Sequence, residues 1–236
     1  MLYRIADFYI DIECIFSSTL PFLADYACDE AREADFCIKI TEEDIEKEKK
    51  ASEEFSNDVF DARYLERTAI IRKICGELLP RGAFLMHGAL IEYEGVGYMF
   101  TAKSGVGKTT HIRLWQKCFG GENVTIVNGD KPILRVFDDG IYAYGTPWCG
   151  KEKYNKNTRV KLKNLCFVER AEENSIAPIP EADGVTRIFS QVMVADSADL
   201  ATQLMLVDKL VENVDMYLLR CNKNADAAKV AYNGMK

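Results

Sequence analysis

Ala102-Lys103-Ser104-Gly105-Val106-Gly107-Lys108-Thr109-Thr110 decides the reading of this chain. It follows the P-loop pattern GxxxxGK[ST], with Ala102 in place of the first glycine. Each fixed position has a physical reason. Gly105 and Gly107 let the backbone turn its N–H groups inward around phosphate oxygens. A following helix adds the positive end of its dipole. Lys108 reaches the β- and γ-phosphates as a point charge. The Thr109 hydroxyl can ligate Mg²⁺. Alanine at 102 is acceptable unless φ there must be positive. Ser104, Gly105, Val106, Gly107, Lys108, Thr109 and Thr110 are therefore the candidate nucleotide-binding residues.

The flanks agree with this reading. Val96 to Thr101 predicts a strand running into the loop, and a helix is expected from Lys108 to Phe119. Upstream, Ala83 to Tyr93 reads as one strand, closed by a turn at Glu94-Gly95. Downstream, a strand from Val124 to Val127 leads into Asn128-Gly129-Asp130-Lys131. A nucleoside triphosphate site needs a carboxylate near its metal, and strand ends are where sites in α/β sheets gather. Asp130 is the candidate, as a Mg²⁺ ligand or as the acceptor of a hydroxyl proton. The plainer alternative is a turn residue before Pro132. Lys131 either pairs with Asp130, reaches a phosphate or is simply solvated. His87 is a structural strand residue or, one hairpin from the loop, a member of the site. His111 reads as a surface or packing residue on the loop helix.

Elsewhere the signals are coarser. Tyr3 to Cys14 alternates like one half-buried strand, and Asp35 to Ile40 reads as another. Thr41 followed by Asp44 looks like a helix start, so Glu42 to Lys50 becomes a solvated helix face. Leu65, Ala69, Ile70, Ile74, Leu78 and Leu79 fit an amphipathic helix over Asp61 to Leu79, stopped by Pro80-Arg81-Gly82. Strands are expected at Ile133–Phe137, Ile141–Tyr144, Val160–Glu169 and Met216–Cys221. A polar loop covers Pro147 to Asn157. Helices are expected at Gly184–Val194, Ser197–Asn213 and Ala225–Asn233, the last capped by Asn224. The fold class expected is a mixed α/β core. A small β-rich N-terminal lobe over 1–57 would precede a P-loop domain over 58–236, the two forming one compact unit.

Composition bounds the rest. The 236 residues carry 30 Lys and Arg against 37 Asp and Glu, a net charge of −7. That balance argues against broad nucleic-acid or anionic-membrane binding. No run is apolar enough to span a bilayer, and the N-terminus lacks the pattern of an export signal. The 8 cysteines include no CxxC pair, so a zinc ribbon is not expected. Scattered thiols suit a reducing, cytoplasmic setting.

With these residues in view, a resemblance can be stated. His87-Gly88-Ala89, then Thr101 to Thr110, resembles the catalytic domain of HPr kinase/phosphorylase and its shorter relatives. The Ser-Gly-x-Gly-Lys-Thr-Thr run is also similar to ATP-dependent phosphoenolpyruvate carboxykinase. Asn128 to Arg135 and Tyr144 to Glu152 are most like the small HPr-kinase-related proteins. The resemblance covers about Ala83 to Arg170 and implies a P-loop fold distinct from the GTPase and RecA types. It implies ATP and Mg²⁺ as cofactors and phosphate transfer to a hydroxyl of a small molecule, peptide or protein, with a serine-type acceptor favoured. It also implies that His87 contacts phosphate or positions Asp130, and that Lys131, Trp148, Lys151 and Glu152 are candidates for a substrate loop. Arg170 is a weaker candidate for a phosphate contact. HPr kinases assemble, so a homo-oligomer is compatible with the resemblance. Two departures matter: only one carboxylate stands near the family's acidic pair, and the later Glu-x-Arg-Gly motif is not evident. They keep open a non-catalytic ATP-binding partner of the same fold.

Overall fold

A computed structural model describes residues 1–55, 59–195 and 199–236. The expected boundary at 57/58 and the expected helix start at Ser197 lie outside them. Tyr3 to Cys14 is not one strand but a hairpin, β1 (Leu2–Ile5) and β2 (Phe8–Glu13). Ala6 and Asp7 form its turn with φ of +52° and +57°, the left-handed backbone that a two-residue hairpin requires. After a short helix, α1 (Leu20–Leu23), strand β3 (Phe36–Lys39) lies parallel to β2 and completes a three-stranded sheet.

Two helices follow. The first, α2 (Glu42–Phe55), opens on Thr41, whose backbone N–H and hydroxyl both donate to Asp44. The second, α3 (Ala62–Leu78), is capped by Asp61, which accepts from the Tyr64 N–H at 2.9 Å. Its apolar face, Ala69, Ile70, Ile74 and Leu78, packs with Ile5, Ile10 and Ile38 of the small sheet and with Ala83 and Leu85 beyond. Each large apolar side chain buried here contributes roughly 1.5–3 kcal/mol. Gly82, at φ +68°, ends the helical segment in a left-handed turn.

The expected strand Ala83 to Tyr93 is two strands, β4 (Ala83–Met86) and β5 (Ala89–Tyr93). The break falls at His87-Gly88 because their N–H groups leave the ladder. His87 N–H donates to the Gln191 carbonyl and Gly88 N–H to the Asp130 carbonyl, each at 2.8 Å. The chain continues through β6 (Val96–Thr101), α4 (Lys108–Phe119), β7 (Val124–Asn128), β8 (Ile133–Phe137), β9 (Gly140–Tyr144) and the long β10 (Arg159–Arg170). It ends with β11 (Ser175–Pro178), α5 (Glu181–Phe189), β12 (Val192–Met193), α6 (Leu200–Asn213), β13 (Asp215–Cys221) and α7 (Asp226–Gly234). The sequence pattern does not predict the short strands β11 and β12, and it places Val192–Met193 in a helix where the chain forms a strand. Asn224 does not cap α7 through its side chain; its carbonyl accepts from the Ala227 N–H instead.

These strands make one mixed sheet in the order β12-β4-β8-β9-β10-β6-β5-β7, with β13 beside β10 and β11 beside β13. Strand β10 joins the two wings: it starts antiparallel to β9 and finishes parallel to both β6 and β13. Strand β5 is antiparallel to β6 and β7. The C-terminal ends of β6, β7, β10 and β13 therefore share one edge with the start of β5. Helices cover both faces, α5 and α6 on one and α4 and α7 on the other. The protein is thus α/β. No helix among the described residues is long and apolar enough to cross a membrane.

Candidate functional site

The shared edge gathers most of the residues singled out by sequence. Loop 102–107 leaves β6 and enters α4 with Gly105 at φ +78° and Gly107 at φ +129°. Both angles lie where side-chain-bearing residues are strained, which is why glycine stands there. Ala102 needs no such angle. No side chain caps the N-terminus of α4. The loop is braced from β10: Arg170 Nε donates to the Val106 carbonyl at 2.9 Å, and its Nη2 donates to the Gly105 carbonyl. Arg170 therefore holds the loop backbone.

Lys108 is 7 % exposed, and its Nζ donates to the Ala102 carbonyl at 3.0 Å. Burial holds its ammonium below the usual lysine value; Asp130 opposes this and Lys131 adds to it. The hydroxyl-bearing Thr109 and Thr110 follow in the first turn.

Asp130 is delivered by a small rigid turn. Asn128, wholly buried at the end of β7, accepts through Oδ1 from the N–H groups of Asp130 (2.9 Å) and Lys131 (2.7 Å). Its Nδ2 donates to the Thr146 carbonyl at 3.0 Å. Gly129 is required on packing grounds, since a Cβ there would lie 2.7 Å from the Cys149 carbonyl. The Asp130 carboxylate then meets His87 Nε2 at 3.3 Å and Lys131 Nζ at 2.5 Å. Burial pushes its pKa up, but the His87 hydrogen bond and the Lys131 charge outweigh it, and the carboxyl falls to about 2.

Behind His87 stands Gln191, whose Oε1 is 3.2 Å from His87 Nδ1. Thr101, the last residue of β6, donates its hydroxyl to the His87 carbonyl at 2.7 Å. Gln191 was not singled out by sequence. It lies in the turn between α5 and β12, and no local pattern marks it.

The remaining candidates separate. Trp148 is a core residue: it is 8 % exposed, its Nε1 donates to the Arg67 carbonyl at 2.9 Å, and Phe22 meets it edge-on. As placed, its ring is not an open platform for a ligand. Lys151 and Glu152 lie on an exposed turn after Gly150. A Cβ built on Gly150 would lie 3.8 Å from Glu152 Oε2 and 3.9 Å from Asp130 Cγ. The two carboxylates thus flank the same glycine.

Two cavities adjoin the loop. One, of about 550 Å³, runs between loop residues Lys103 and Ser104, the end of β10, and Arg187, Ser190 and Gln191. The other, of about 320 Å³, lies against the first turns of α4 and the end of β13. Gln191, which lines the first, also faces His87.

Comparison with known proteins adds little. No protein-family model matches the sequence, and no curated protein matches it. Among solved structures, the chain is similar to the Hpr(Ser) kinase/phosphatase from Coxiella burnetii, with 9% identity and a TM-score of 0.36, over 63% of this chain and 94% of that one. Similarity at that level is distant and leaves the family of this chain open.

Proposed function

We propose that the chain is an ATP- and Mg²⁺-dependent phosphotransferase acting on a hydroxyl, with a P-loop at residues 102–110. One observation carries this reading. The glycine-turned loop with its buried Lys108 shares a sheet edge with the His87–Asp130–Lys131 group. The loop would cradle the phosphates, and Lys108 would balance charge developing on the transferred group. A peptide or small-molecule hydroxyl would enter through the larger cavity, towards Gln191 and His87.

The donors available fit Mg²⁺. They are a threonine hydroxyl at Thr109 and an ionised carboxylate at Asp130, and Mg²⁺ typically takes one or two carboxylates plus substrate phosphates and water. Among the described residues no three His, Cys, Asp or Glu side chains form a cage of their own. Bound there, the ion would neutralise charge on the phosphate oxygens. A carboxyl with a pKa of about 2 is better suited to holding a cation than to taking a proton. Asp130 is therefore read first as the metal ligand. Glu152, across Gly150, is the nearer candidate for receiving the hydroxyl proton.

The same low pKa favours the second reading, a nucleotide-binding protein that does not turn over. ATP hydrolysis or acceptor phosphorylation above background separates the two.

The primary test compares wild type with Lys108→Ala in Mg-ATP. A ligand at ~100 times its Kd stabilises by about 2.7 kcal/mol, roughly 5–10 °C in Tm for a chain of this size. Wild type should show the shift, and the variant should show neither shift nor transfer of labelled γ-phosphate to serine peptides. An equal shift in both proteins would remove the loop from nucleotide binding.

A further inference from the structure

The larger cavity is basic, although the chain as a whole is acidic. The net charge is −7, yet the charged side chains lining this cavity are Lys103, Arg170 and Arg187 against Glu169 alone. Arg170 spends two of its nitrogens on the loop carbonyls. Arg187, in the last turn of α5, is placed differently. Its guanidinium carbon lies 5.6 Å from the centre of the Phe167 ring, another wall of the cavity. Only its Nη1 is engaged, with Glu169 Oε1 at 3.2 Å; Nε and Nη2 have no hydrogen-bond partner among the described residues. Glu169 does not neutralise it fully, because the other carboxylate oxygen meets Arg220 Nε at 3.4 Å. One carboxylate is thus shared between two guanidiniums.

We infer that the acceptor is anionic: it carries a carboxylate beside its hydroxyl, and Arg187 holds that carboxylate. The inference rests on the phosphotransferase reading above and names its substrate class. A guanidinium presents its donors as a planar fork that matches a carboxylate, and two nitrogens of this fork are unspent. The Phe167 ring supports the cation on the cavity wall. The phosphate cradle has a cation of its own in Lys108, which does not line this cavity, so Arg187 is left over once a triphosphate is seated. Gln191, four residues after Arg187, lines the same cavity and faces His87, so the anchor and the reactive edge border one space. The volume of about 550 Å³ lies within the range of small-ligand pockets, roughly 300–1,000 Å³.

The test is calorimetric titration of the Mg-ADP-loaded protein with probes matched in shape and differing in charge. Glycerate is compared with glyceramide, and the peptide Ac-Glu-Ser-Glu-NH2 with Ac-Gln-Ser-Gln-NH2. Wild type should bind the anionic member of at least one pair about tenfold more tightly than its neutral partner. The pair that responds tells a free hydroxy acid from an acidic peptide. Arg187→Gln should erase the preference and leave the Kd for Mg-ADP within about threefold of wild type. Glu169→Gln removes the competing carboxylate and should tighten the anionic probe by about threefold. No preference in either pair would overturn the inference without any variant, and so would a preference that survives Arg187→Gln. A wild type that binds no Mg-ADP would instead strike the phosphotransferase reading itself, and the inference would fall with it.

Discussion

Two carboxylates, the buried Glu66 and the half-buried Asp130, are held in different ways. Glu66, on α3, is fully buried and accepts from the N–H groups of Ile15 (2.5 Å) and Phe16 (3.1 Å) and from the Thr19 hydroxyl. Its donors are two backbone N–H groups and one hydroxyl. It ties the segment after the N-terminal hairpin to the helix beneath. Asp130 is held by His87 and Lys131, side chains that are 24% and 30% exposed. On the proposed function, those partners would release it to a cation or a substrate. A carboxylate locked by backbone donors builds structure. One held by partly exposed side chains is the one the proposed function places in the reaction.

Paired substitutions test that contrast. Glu66→Ala should cost about 3–5 kcal/mol, because it strands several buried donors at once. The fraction still folded should bind Mg-ATP as wild type does. Asp130→Asn should cost about 2 kcal/mol, yet reduce phosphate transfer at least a hundredfold. Urea denaturation and single-turnover transfer check both. If Glu66→Ala abolishes transfer at full stability, or Asp130→Asn leaves transfer intact, the contrast fails.

Acid sharpens the comparison. The Asp130 pKa is depressed from 3.8 to about 2 in the folded chain. Its contribution, about 2 kcal/mol, is complete above pH 4 and disappears as pH falls towards 2. His111 acts in a higher window. It stays neutral when folded but takes up a proton near pH 6.5 when unfolded. The unfolded state then binds the extra proton, so stability falls as pH drops below 6.5, by up to ~1.4 kcal/mol per pH unit. The gap between wild type and Asp130→Asn should be flat above pH 4 and close by pH 2. His111→Gln should flatten the slope between pH 6 and 4. Denaturation midpoints across pH measure both effects.

What the sequence made legible was local. The loop glycines, Lys108, the Thr41–Asp44 helix start and the apolar face of α3 all rest on residues a few positions apart. So does Asp130, held by its neighbours Asn128 and Lys131. Features that depend on distant partners were hidden. Trp148 stands in a polar stretch, and only the fold brings Phe22 and the Arg67 carbonyl to it. Strand Ala83 to Tyr93 reads as continuous until Gln191 and Asp130 draw off two of its N–H groups. The Ala6-Asp7 turn contains no glycine to announce it. Strands β11 and β12 are short edges with almost no pattern of their own.

Gln191 gives the smallest and most specific prediction, because through His87 it connects the Asp130 carboxylate to the frame. Its Oε1 faces His87 Nδ1, and its own carbonyl accepts the His87 N–H. Its Nε2 donates to the Ser190 hydroxyl at 3.0 Å, which fixes the amide orientation. The side chain thus holds the imidazole with Nε2 towards Asp130. Gln191→Ala leaves the backbone contact in place and removes only that side-chain restraint. Turnover should fall about tenfold, with KM for ATP within threefold and Tm within about 4 °C, since one lost hydrogen bond contributes about 1 kcal/mol. Gln191→Glu keeps an acceptor for Nδ1 and should recover most of the rate. Gln191→Leu, of similar size but without an acceptor for Nδ1, should stay slow; recovery by leucine would instead show simple packing. If alanine turns over like wild type, His87 is held adequately by its backbone alone, and Asp130 needs no support beyond its own turn.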